Sequence, residues 1–144
     1  MILFLLWMGD GQHKPTYIPA FINAYKNTEA DIVIGSRKND KADMPLNRRF
    51  SNWCTSKLLS LFLTTNIEDS QSGYRIISRE VLGKKSKLKS DNFELETELI
   101  IKAHQAGFQI AFTPIRVEYG KDFPSEISGI VDTCRWVRLV LELI

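Results

Sequence analysis

Residues Ile2 to Met8 form an unbroken apolar run, and Gly9-Asp10-Gly11 ends it in a turn. A half-exposed strand alternates apolar and polar residues. A run with no alternation must be buried on both faces, as in the middle of a parallel sheet covered by helices. The apolar start, eight residues from Met1 to Met8, is too short for a membrane span, which needs about 20. It also lacks the basic start and small-residue cleavage site of a leader peptide. After the turn, Pro15 opens a helix with Ile18, Phe21, Ile22 and Tyr25 at helical spacing. Asp31 to Gly35 then reads as a second short buried strand. Strand, helix and strand in that order predict a right-handed parallel crossover, and so an α/β fold.

The rest of the chain fits that class. Lys38 to Pro45 is a polar loop. Leu46 to Leu63 is a helix with Phe50, Trp53, Cys54, Leu58, Leu61 and Phe62 available for one face. Asn66 to Gly73 is a loop, Tyr74 to Ile77 a short strand, and Arg79 to Leu82 a helical turn. Lys84 to Ser90 is a solvated, lysine-rich loop. Phe93 to Ala106 is an amphipathic helix capped by Gly107. Strands follow at Gln109–Thr113 and Ile115–Tyr119, with Pro114 between them. Gly120 to Pro124 is a turn, and Ile127 to Ile144 closes the chain as a helix. At 144 residues this is one domain. The 19 basic and 17 acidic residues leave a net charge of +2, too balanced for a nucleic-acid partner. Cys54 and Cys134 have no metal-ligand spacing and read as reduced, partly buried thiols in a cytoplasmic setting.

Open α/β sheets bind ligands at the carboxyl ends of their strands. Here the first strand end carries Asp10, Gln12 and His13, and the second carries Ser36 and Arg37. Hard oxygen ligands beside a guanidinium suit a phosphate ester with a magnesium or manganese ion. The plainer alternative is a simple turn and a surface charge. A second set joins Asp69, Gln71 and Arg75 with the Arg48-Arg49 pair. Two arginines at a helix start oppose the helix dipole unless an anion compensates them, though two solvated arginines are the ordinary alternative.

Five motifs stand in register: Asp10-Gly11-Gln12-His13, Ile34-Gly35-Ser36-Arg37, Asp69 through Arg75, Phe93 through Glu98, and Thr113-Pro114-Ile115. Together, over essentially the whole chain, they resemble family-2 glycosyltransferases of the dolichol- or undecaprenyl-phosphate sugar transferase type. The resemblance implies part of a glycosyltransferase A-type, Rossmann-like mixed sheet flanked by helices. It implies sugar transfer, with inversion, from a nucleotide-sugar donor to a lipid-phosphate acceptor at the cytoplasmic membrane face. By the same resemblance Asp10 and Gln12 hold the metal and nucleotide, with magnesium or manganese as cofactor. Arg37, Arg48, Ser51, Lys121 and Ser125 meet the acceptor phosphate. Asp69, Gln71 and Arg75 form the catalytic motif, and Glu96 or Glu98 supports the acceptor side.

The chain departs from that pattern in three places. Met8 stands where the first aspartate of the family's Asp-X-Asp pair belongs, and Glu126 follows Ser125 where a basic or polar residue is usual. The family's N-terminal nucleotide-binding half has no counterpart here. The first strand would then be a middle strand left at an edge, open to self-association. The competing expectation is a truncated or degenerate half-domain with no activity of its own.

Overall fold

The computed structural model describes residues 3–6, 14–39, 44–83, 88–89, 94–117 and 129–144. Their order is β1 (Leu3–Leu6), a 3-10 turn (Pro15–Tyr17), α1 (Ile18–Thr28), β2 (Ile32–Ser36), α2 (Leu46–Leu63), β3 (Arg75–Ser78), α3 (Arg79–Gly83), α4 (Glu94–Gln105), β4 (Ile110–Pro114) and α5 (Gly129–Leu143). The fold is α/β, an open mixed four-stranded sheet with helices on both faces, as the strand–helix–strand pattern predicts.

The strands lie in the order β1-β3-β2-β4. β2 and β4 are parallel, from Ile32 opposite Ile110 to Ser36 opposite Pro114. β3 runs antiparallel to both its neighbours, β1 and β2. β1 and β2 therefore point the same way, as a crossover requires, but β3 lies between them. The apolar run does not sit in the middle of this sheet. Its described part, Leu3–Leu6, is the outermost strand, with Phe4 and Leu5 exposed.

Alternation along β2 and β3 sorts the core into two layers. Ile32, Ile34 and Ile77 face a cluster completed by Leu59, Leu63, Leu99 to Ile101, Trp136 and Val140, from α2, α4 and α5. Val33 and Ile76 face Phe21, Tyr74, Ile115 and Val117, on the α1 side. On the first face the Trp136 indole N–H donates to Thr97 Oγ1 at 3.0 Å, fixing α5 on α4. On the second the Phe21 and Tyr74 rings pack with centroids 4.6 Å apart.

Gly107 follows α4 at φ +82°, the left-handed stop its sequence position predicts. Gly35 answers a different need. A Cβ there would lie 2.7 Å from Ile115 Cδ1 and 3.0 Å from Phe21 Cζ. Gly35→Ala is therefore expected to destabilise the fold by about 1–3 kcal/mol through overpacking, read from chemical denaturation. An unchanged midpoint would show that Ile115 and Phe21 yield freely.

Three expectations change. Residues 115–117 are not a strand: the partner strand β2 ends at Ser36, and the pairing closes with the Ile115 N–H donating to the Ser36 carbonyl at 3.0 Å. Cys134 is exposed rather than partly buried, whereas Cys54 is half-buried. The apolar set named for one face of α2, Phe50, Trp53, Leu58, Leu61 and Phe62, is exposed, with Cys54 half-buried. The buried residues of the helix are Ser56, Leu59 and Leu63, and Leu46 is exposed as well. Among the described residues no helix is long and apolar enough to cross a membrane.

Candidate functional site

The parallel pairing of β2 with β4 and the antiparallel pairing of β3 bring three chain segments to one rim. These are the carboxyl ends of β2 and β4 and the start of β3. The loop 66–74, which leads into β3, crosses this rim. Asp69 lies at its centre and is fully buried. Arg37, the first residue after β2, grips it with two parallel bonds, Nε to Oδ2 at 2.7 Å and Nη2 to Oδ1 at 2.8 Å. The Arg37 backbone N–H adds a third bond to Oδ2 at 3.1 Å, and the Gln71 N–H donates to Oδ1 at 3.2 Å. Burial alone would raise the Asp69 carboxyl. The Arg37 charge and hydrogen bonds, with a further one from Asn52, outweigh it and hold the group below the usual carboxylate range.

Arg75 organises the other end of the loop. Its guanidinium is enclosed, and its donors reach three backbone carbonyls: Ser72 at 2.7 Å, Glu96 at 2.9 Å and Ser70 at 3.2 Å. Burial lowers its pKa to about 10, which leaves it charged at neutral pH. Arg75 is thus a positioning residue that ties the loop to the start of α4. Glu96 sits beside it, and burial raises its carboxyl against the opposing pull of Arg75. Glu98 is fully buried, accepts the Lys89 N–H at 2.9 Å, and pairs with Lys102 at 2.5 Å.

Hydroxyls on the inner face of α2 hold the loop from the third side. Ser60 Oγ accepts from the Ile67 N–H at 2.9 Å and donates to its carbonyl at 3.2 Å. Ser56 Oγ accepts from the Ser70 N–H at 3.0 Å. Thr55 Oγ1 lies 3.1 Å from Ser70 Oγ and 3.4 Å from Gln71 Nε2. This is why the polar side of α2 turns inward. The loop has backbone groups that need partners, and a leucine face would leave them unsatisfied.

Between the loop, Arg37 and the first half of α2 lies a cavity of about 520 Å³. Arg37, Lys38, Arg49 and Lys57 outnumber Glu68 among the charged residues of its wall, and Met44, Phe50, Trp53 and Ile67 give it apolar surface. The Phe50 and Trp53 rings are stacked, with centroids 6.2 Å apart. Such a lining suits an anionic head with an apolar tail.

The structure brings Arg37, Asp69, Gln71 and Arg75 together, although the sequence puts Arg37 and Asp69 in separate sets. Of the two helix-start arginines, Arg49 lines the cavity and Arg48 does not, and neither does Ser51. Asp10, Gln12, Lys121 and Ser125 lie outside the described residues. The expectation of magnesium or manganese rests on the first two of these. Among the described residues no group of three His, Cys, Asp or Glu side chains could hold a metal ion, and both Asp69 oxygens are engaged by Arg37. Sequence reasoning names Arg49 only as half of the Arg48-Arg49 pair and assigns the acceptor phosphate to Arg48; it misses a site role for Trp53 and the hydroxyl ladder. The signal was present as small polar residues, Asn52, Ser56 and Ser60, recurring every fourth position on α2.

No protein-family model matches the chain. It is 33% identical over 121 residues to an uncharacterised protein of Methanocaldococcus jannaschii, covering 81% of this chain and 50% of that one. It is 34% identical over 114 residues to a UDP-N-acetylglucosamine–dolichyl-phosphate N-acetylglucosaminyltransferase of Methanococcus voltae, 76% of this chain and 45% of that one. It is 25% identical over 140 residues to the low-salt glycan biosynthesis hexosyltransferase Agl6 of Haloferax volcanii, 93% of this chain and 33% of that one. The chain thus spans about half the length, or less, of these relatives. The named relatives are glycosyltransferases, and the chain is consistent with part of a family-2 dolichol-phosphate sugar transferase.

Proposed function

We propose that the chain contributes the acceptor side of a family-2 sugar transferase, which moves a sugar from a nucleotide-sugar donor to a polyprenyl phosphate. The observation that carries this reading is the cavity beside the Arg37–Asp69 pair, with four cationic side chains against the single carboxylate of Glu68, and two stacked aromatic rings, in its wall. A phosphate monoester with an isoprenoid tail matches both kinds of surface. In the reaction a phosphate oxygen of the acceptor attacks the anomeric carbon of the donor sugar. The bond from that carbon to the diphosphate breaks, and the nucleoside diphosphate leaves with the electron pair. An acceptor phosphate is already an anion at neutral pH, so positioning and charge compensation supply most of the catalysis. Asp69, held by Arg37 and Gln71, fixes the loop across the rim, and the Gln71 side chain reaches Thr55 of α2 at 3.4 Å. A magnesium or manganese ion at Asp10 and Gln12, and an acceptor-phosphate role for Arg48, Ser51, Lys121 and Ser125, belong to the same reading. The open side of β1 fits a further strand, from a longer chain or from a second copy.

Transfer of labelled sugar to a short-chain isoprenyl phosphate tests the reading. Arg49→Ala is expected to raise the acceptor KM at little cost in donor KM. The loss of one charge-assisted contact corresponds to about 1.5–3 kcal/mol, less where water screens the site. Arg48→Ala, off the cavity wall, is expected to act more weakly. A rise in donor KM with acceptor dependence untouched would reassign the cavity to the nucleotide-sugar.

A further inference from the structure

One carboxylate stands in the cavity wall among four cations, and neither the core nor the loop requires it there. Glu68 lines the cavity with Arg37, Lys38, Arg49 and Lys57, yet among the described residues it forms no ion pair. Its neighbours fix its place. Ser60 Oγ holds both the N–H and the carbonyl of Ile67, at 2.9 and 3.2 Å, and Ser56 Oγ holds the Ser70 N–H at 3.0 Å. Asp69, next in sequence, is gripped by Arg37. The backbone is therefore clamped on either side of Glu68, and its half-buried side chain stays at the wall.

A fixed carboxylate repels any anion held nearby, so a wall shaped for anion affinity alone would omit it. Its effect is to set how much negative charge the cavity accepts. Asp69 neutralises Arg37, and Glu68 offsets one of the three other cations, which leaves the described wall a net charge of +2. A phosphate monoester carries about −1.5 to −2 at neutral pH and matches that charge. A diphosphate has a further ionised oxygen and exceeds it. An isoprenyl monophosphate and an isoprenyl diphosphate share one tail, so the apolar part of the wall does not tell them apart, and charge must. We propose that Glu68 is a specificity-determining residue, which tunes the cavity to a phosphate monoester and turns the diphosphate of the same lipid away. The inference deepens the proposed function and rests on it for the isoprenoid nature of the ligand. The charge preference itself follows from the wall.

Calorimetric titration of the full chain with geranyl phosphate and with geranyl diphosphate tests it. Wild type is expected to bind the monophosphate more tightly. Glu68→Gln is expected to reduce that preference by about three- to tenfold, and by less as salt rises. Glu68→Lys is expected to reduce it further, and Glu68→Asp to retain it. Glu80→Gln, which removes the same charge away from the cavity wall, is expected to leave the preference unchanged. A wild-type chain that binds neither ligand, or both alike, would overturn the inference. So would a glutamine variant with the wild-type preference, or a lysine variant that weakens both ligands equally, since damage to the loop does not reorder two anions. An equal shift in Glu80→Gln would assign the effect to overall charge and overturn it too. Transfer of labelled sugar reads the function separately. A preference that follows the charge at position 68, in a chain that transfers no sugar, keeps the inference and sinks the function. Sugar transfer with a preference indifferent to that charge does the reverse.

Discussion

Asp69→Asn is expected to lower the unfolding free energy by about 3 kcal/mol at neutral pH. The substitution keeps the shape of the side chain but removes the charge that Arg37 faces in a buried setting. Removing one partner of such a pair leaves the other uncompensated, and this outweighs the loss of two hydrogen bonds. The pH dependence gives the effect a signature. The Asp69 carboxyl lies below its ordinary value in the fold, so the unfolded chain binds its proton first as pH falls. The stabilisation is complete above the ordinary carboxylate value, about 4, and is lost as pH falls through the lower folded value. Glu96 is shifted the opposite way and favours the fold at low pH, so only the difference between wild type and variant isolates Asp69. Urea denaturation at pH 7, 5 and 3 measures it. A difference that stays constant to pH 3 would show that the pair contributes shape and not charge.

Arg75→Ala carries the largest expected loss of stability. It strips donors from three carbonyls, those of Ser70, Ser72 and Glu96, and empties the space of a fully buried side chain. Each orphaned buried acceptor costs about 1–3 kcal/mol, so the total is about 3–6 kcal/mol with some relaxation. A domain of this size has about 5–15 kcal/mol in all. The near-ultraviolet circular dichroism of the variant should collapse well before the far-ultraviolet signal. Arg75→Lys restores the charge but not the planar fork, and is expected to recover only part of the loss. An alanine variant within about 1 kcal/mol of wild type would mean that the loop finds other partners.

These two residues mark where the sequence is readable and where it is not. The limits of α2 follow from its neighbours: Pro45 before it, and the polar loop after Leu63. The strand at residues 75–78 and the stop at Gly107 follow from equally local signals. Which strands pair is not a local property. Nothing in the Leu3–Leu6 segment says that its neighbour is the antiparallel β3 and not the parallel β2. The Arg37–Asp69 bond is hidden for the same reason, because it joins the ends of two elements separated by all of α2. The direction of α2 is a subtler case. Apolar periodicity points to the core in most helices, but here Thr55, Ser56 and Ser60 are needed inside by a loop rich in backbone donors and acceptors. Besides the polar repeat on α2, an arginine at the head of the strand Arg75–Ser78 is a visible hint of buried polarity, since a charge there must find partners.

The strand order also governs how the chain reaches this state. Each ladder joins stretches far apart in sequence: Leu3 with Ser78, Ile32 with Ile77, Ile32 with Ile110. Closing such loops costs entropy before any ladder repays it, so assembly is slow compared with that of a helical bundle of the same size. During synthesis β1 leaves the ribosome long before β3 exists to receive it. For that interval the Leu3–Leu6 segment lacks its β3 neighbour, and its apolar edge on that side is open to chaperones that shield apolar segments.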